Sequence, residues 1–132
     1  FSNDAIDNLV IPLRRTVEIF ALRQYFHEIN SKDIRSWENC LKKMEIACLE
    51  KSFNKIIECD IEFHRLIVER SNIVDVISIW NLLISRVQGH FMRNYHKYRD
   101  PMEIYFEHEA IFSMFRTGKL DAAIQILESN IE

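Results

Sequence analysis

Glycine and proline are nearly missing from this chain, with two of each in 132 residues. Turn-rich β folds depend on both for their special backbone conformations, so their scarcity points away from such folds and towards long helices. Cysteine is scarce as well. Cys40, Cys48 and Cys59 form no C-x-x-C pair, and an odd count argues against a disulfide framework, so a reducing cytoplasm is expected. An excess of basic charge is also lacking: 17 Lys and Arg against 20 Asp and Glu give a net charge of -3. Phosphate backbones are gripped by clustered Lys and Arg, so this stretch of chain is not expected to hold DNA itself. No apolar run approaches the ~18 residues of a membrane span, and no charged-then-apolar leader opens the chain. The first residues, FSNDAIDN, carry no initiating Met, which suggests a piece of a longer, soluble, intracellular protein.

What the chain has in quantity is apolar residues, 48% of the total, recurring at three- and four-residue steps. That period predicts an all-α antiparallel bundle of six or seven helices forming one domain over residues 1–132. The first helix places Ile6, Val10, Leu13, Val17, Phe20 and Ala21 on one face and runs to about His27. A second, from about Lys32 to Lys51, has a stripe of Ile34, Trp37, Leu41, Met44 and Cys48. The third follows Ser52 and reaches about Arg70, with Phe53, Ile56, Ile57, Phe63 and Ile67 inward. The fourth is expected from Val74 to about Tyr98 as one piece. Asp100-Pro101-Met102-Glu103 has the carboxylate, proline and glutamate of a helix start, so the fifth begins at Pro101. Gly118 can close it in the left-handed conformation, and Leu120 to Ile131 supplies the sixth.

Polar side chains interrupt these stripes. Asp60 and His64 stand four apart on the inward face of the third helix, where both can reach one ion. His108 falls between Ile104 and Ile111 on the fifth helix, and Asn130 follows Ala123 and Leu127 on the sixth. A buried carboxylate requires a cation, a protonated histidine or several donors. Carboxylate and imidazole together suit Zn, Ni, Mn or Fe, whereas a hydrogen-bonded Asp-His pair without metal satisfies the same pattern. Arg14 shares an inward face with Val10, Val17 and Ala21, which suits a guanidinium that grips a carboxylate; a salt bridge to Glu18 is the plainer alternative. Arg86 and Arg93, seven apart on the fourth helix, are further candidates to line a pocket, with surface exposure the plainer reading of Arg93. Trp80, Phe91, Phe106 and Phe115 read as core. Catalytic patterns are missing: no Glu precedes a His by three, and there is no His-Glu-x-x-His, nucleophile elbow or phosphate loop.

Three segments resemble the C-terminal ligand-binding (FCD) domain of the FadR-type branch of the GntR bacterial transcription regulators. They are Leu13-Arg14-Arg15-Thr16-Val17-Glu18, Asp60-Ile61-Glu62-Phe63-His64 with Ser71-Asn72 beyond it, and Glu107-His108-Glu109-Ala110-Ile111 followed by Gly118 and Ala123. The resemblance implies a divalent metal held by Asp60, His64 and His108. It places Asn130 where the family usually has a fourth ligand, His, and Lys119 where an acidic residue is common. An amide oxygen is a weaker ligand than imidazole, so the departure at Asn130 weakens the implied site. The resemblance further implies a small carboxylate effector, with Arg86 matching an arginine frequent in the family. It also implies a homodimer and operator DNA bound by a winged helix-turn-helix N-terminal to this domain. A helical metalloenzyme acting on a small acid and a metal-free dimerisation module are the rival functions.

Overall fold

The computed structural model describes residues 2–132, apart from the side chain of Gln88. Seven helices carry the fold: α1 (Ile11–Tyr25), α2 (Ser31–Leu49), α3 (Phe53–Glu69), α4 (Val74–Ser85), α5 (Gln88–Tyr95), α6 (Met102–Arg116) and α7 (Leu120–Asn130). There is no strand among the described residues. α1 continues N-terminally without interruption as a π-helical turn, Ile6–Val10, and a single α-turn, Asn3–Ala5. The wide turn precedes Pro12, whose ring nitrogen cannot donate to a carbonyl one turn back, and the Ile11 N–H bonds Ile6 O instead.

Local chemistry explains most boundaries. Asn30 and Asp33 form a reciprocal capping box at the start of α2. Asp100 Oδ1 accepts from the Met102 N–H at 3.0 Å and so opens α6. Gly118 at φ 69° closes α6, and Lys51 (φ 56°) and Asn72 (φ 57°) take the same left-handed turn after α2 and α3. The expected single fourth helix is two. Val87 is buried and turns out of helical geometry (φ -125°, ψ 15°), so α4 ends at Ser85 and α5 restarts at Gln88.

α2 packs on α3 and α6, α6 on α7, and α1 on α3, α4 and α7. Trp37, Met44, Ile56, Phe63, Ile67, Ile111 and Leu127 fill the centre. The first helix differs from its expected stripe: Leu13 and Phe20 are exposed, and the polar Arg14 and Glu18 take the inward positions beside Val10 and Ala21. Phe106, expected in the core, is also exposed. The inward arc of α1 is therefore rotated towards the charged pair, which only a polar interior can accept.

Candidate functional site

α3 presents Asp60 and His64 on one face, and α6 brings His108 against them; all three are buried. One ligand atom from each lies within 4.8 Å of the others. His108 Nε2 stands 2.7 Å from Asp60 Oδ1, and His64 Nε2 is 3.3 Å from that same oxygen. The outer face of each ring is committed elsewhere. His108 Nδ1 is 2.7 Å from the Ile104 carbonyl, which can only accept, so Nδ1 carries the hydrogen. His64 Nδ1 lies 2.5 Å from Glu18 Oε1 and donates to that carboxylate. In their neutral forms both rings therefore turn an Nε2 lone pair on the Asp60 oxygen.

In that protonation state all three groups are electron donors facing one another. His64 Nε2 is buried without a hydrogen-bond partner among the described residues. A proton or a divalent cation resolves it, and rings whose Nδ1–H is fixed by an acceptor while Nε2 points inward are oriented as metal ligands are. The donor set, one carboxylate oxygen and two imidazole nitrogens, fits the first-row divalent ions.

Glu18 supports the cluster from behind. Fully buried, it accepts from Arg14 Nε at 2.7 Å, Trp80 Nε1 at 3.0 Å and His64 Nδ1. Burial pushes its pKa up, but the charges of His64 and Arg14 and the donated hydrogen bonds outweigh that and hold it below the usual carboxylate range. Asp60 behaves alike: burial raises its pKa, and His108 and His64 together bring it well below normal. Burial lowers the pKa of His64, yet Glu18 overrides this and raises it. Tyr95 completes the shell by donating its hydroxyl to Asp60 Oδ2, the oxygen turned away from the imidazoles.

A cavity of about 20 Å³ adjoins the cluster, lined by Arg14, Asp60, His64, Tyr95, His108 and Asn130 among others. The structure thus brings together five of the seven residues singled out in the sequence. Arg14 enters with the Glu18 salt bridge formed and with its guanidinium over the Phe91 ring, 5.5 Å from the centroid. Arg86 and Arg93 do not reach the cavity. The break at Val87 leaves Arg86 exposed at the end of α4, and Arg93 is exposed with its guanidinium on Asn3 Oδ1 at 3.1 Å. Sequence reasoning missed Glu18 as a support of His64 and did not single out Tyr95. The signal for Glu18 was its position one turn after an inward arginine.

The bundle thus holds a buried carboxylate–imidazole cluster beside a buried arginine. Residues 10–132 match the FCD domain family. The chain belongs to that family, the ligand-binding domains of GntR-type regulators, and is an effector-binding regulatory domain, not an enzyme. Among solved structures it is similar to E. coli McbR/YncC, with a TM-score of 0.83 at 16% identity, covering 98% of this chain and 62% of that one. At that identity the likeness speaks for the fold. Comparison with curated protein sequences gives no match. No helix among the described residues is long and apolar enough to cross a membrane.

Proposed function

We propose that this domain senses a small carboxylate metabolite for a cytoplasmic GntR/FadR-type transcription regulator, through a divalent ion held by Asp60, His64 and His108. The observation that carries the reading is the orphaned His64 Nε2, facing the same Asp60 oxygen as His108 Nε2. Asn130 stands at the cavity as a weak fourth ligand. When bound, the ion (Zn, Ni, Mn or Fe) would supply a Lewis-acidic centre for an effector oxygen. Arg14, already buried at the cavity wall, would take the carboxylate through its guanidinium. Operator DNA would be bound by an N-terminal winged helix-turn-helix and not by this acidic domain. A homodimer would cover the exposed apolar residues Leu9, Leu13 and Phe20 of the first helix. The effector acts only through its different affinity for two arrangements of that dimer.

A metal-free reading has one observation in its favour, the position of His64 between the Glu18 and Asp60 carboxylates, where an imidazolium can bridge the two and Glu18 raises the pKa of the ring. Elemental analysis of the purified protein, with a thermal-shift screen of small carboxylates with and without chelator, separates the two. The metal reading predicts near-stoichiometric metal and a carboxylate shift that Asp60→Ala and His108→Ala abolish. Wild-type protein free of metal, with an effector response intact in both variants, would replace the ion by the imidazolium. No shift with any ligand would favour a dimerisation module.

A further inference from the structure

A cavity of about 20 Å³ has room for one water-sized body. A small carboxylate needs several times that, so the folded site is closed to the effector class proposed above, and some wall must move. The walls are unequal. Behind the ligands, Phe63 meets His108 edge-on at 5.0 Å and stacks on Phe115 at 6.4 Å, which in turn contacts Trp37 at 4.9 Å. In front stand α5 and residues 131–132 after α7. Of its described side chains α5 buries Phe91 and Tyr95 alone, and both serve the site: one lies against Arg14, the other donates to Asp60. Its remaining ties are polar: Arg93 reaches Asn3 Oδ1 at 3.1 Å, and the others converge on Glu132. His90 Nε2 and Asn94 Nδ2 meet the Glu132 main-chain oxygen at 3.1 and 2.8 Å. Just beyond the helix, Lys97 pairs with the Glu132 carboxylate at 2.7 Å, both side chains about half exposed.

We propose that α5 is the gate of the cavity, held shut by the latch of His90, Asn94 and Lys97 on Glu132. Releasing the latch lets α5 swing outward and a small carboxylate reach Arg14. Because Tyr95 rides on α5, opening withdraws a hydrogen bond from Asp60, so the gate and the ligand cluster feel each other directly. This proposal rests on the effector-sensing reading, but its movement does not require any ligand.

Hydrogen exchange on the whole chain tests it. Amides of 90–98 should exchange at least about tenfold faster than those of 57–66 in α3, as expected of a locally opening unit. An Asn94→Ala/Lys97→Ala variant should speed exchange in 90–98 by about a further fivefold and leave α3 unchanged. With Zn(II) as the probe, release to a chelator should quicken in the same proportion at little-changed affinity. Equal protection of α5 and α3, or faster exchange spread over the whole variant, would overturn the gate. So would Zn(II) release at the wild-type rate in a variant whose α5 opens faster. Failure of Zn(II) to bind at all strikes the metal reading alone, since exchange in the metal-free protein still decides the gate.

Discussion

The two walls of the cavity are built by different physics. The α3–α6 wall buries Ile56, Phe63, Ile67, Ile111 and Phe115 behind the three candidate ligands, so Asp60, His64 and His108 project from a packed surface. The α5 wall has two buried aromatic rings and a set of polar contacts to Glu132. Packing holds a side chain in one place because any displacement opens a void. Exposed hydrogen bonds and ion pairs exchange readily with water and hold far less. A sensor needs both, since ligand geometry must be preset while the ligand must still enter.

Polar deletions behind the ligands, on α1, and at the α5 wall should separate most widely. Glu18→Ala leaves Arg14 and His64 charged or donating into a void, and breaking a buried pair in this way costs about 3–5 kcal/mol. Lys97→Ala at the α5 wall removes an exposed pair worth under about 1 kcal/mol. Urea unfolding measures both, and similar losses would dissolve the contrast. Apolar deletions should follow, with Phe63→Ala costing about 3–5 kcal/mol through the cavity it opens beside His108 and Phe115. Phe91→Ala should cost less than half of that in global unfolding, because α5 detaches locally before the bundle melts.

Much of this contrast was legible in the sequence on the packed side and little on the other. Asp60, His64 and His108 stood out because each breaks an apolar stripe whose helix has a clear boundary: Ser52 ahead of α3, Asp100-Pro101 ahead of α6. The α4–α5 break was hidden. Apolar residues run at helical spacing from Trp80 to Tyr95, and the turn is made at Val87, a residue with no turn preference, by its burial in the tertiary fold. Reading through that break made Arg86 a candidate for a pocket it does not line, whereas Arg93 lies on the surface, its plainer reading. Leu13 and Phe20 misled for the opposite reason: periodicity alone cannot tell a core face from an apolar surface face. Asn94 and Glu132 carried no pattern at all, as their roles come from contacts between segments distant in sequence.

The packed wall should also show a pH signature that metal reverses. In chelator-treated protein the raised pKa of His64 stabilises the fold fully below its unfolded value of 6.5, and that contribution is lost as pH climbs through the folded value. Asp60 and Glu18, held below their ordinary values of 3.8 and 4.5, add stability above that range and lose it as pH falls through it. Arg14 and His108 share the site, Arg14 opposing protonation of His64 and His108 helping to keep Asp60 ionised. The melting temperature of the metal-free protein should therefore peak at mildly acidic pH and decline towards pH 8. Added Zn(II) should produce the opposite slope, because coordination requires an unprotonated Nε2. Parallel pH curves with and without metal would leave the imidazolium as the occupant.

The smallest expected effect lies where the two walls meet. Asn130, half-buried at the end of α7, lines the cavity beside the ligand cluster and immediately precedes the segment that the latch holds. Its amide oxygen competes poorly with water for a first-row ion, whereas an imidazole there would add a strong donor. Asn130→His should therefore tighten Zn(II) binding by about tenfold, or ~1.4 kcal/mol, in competition with a chromophoric chelator. Stability of the metal-free protein should change by less than about 0.5 kcal/mol, since the residue is only partly buried. If the affinity does not move, the fourth position is out of reach from α7 and belongs to water or to the effector. That outcome would also place the ion wholly on the packed wall, with everything in front of it free to open.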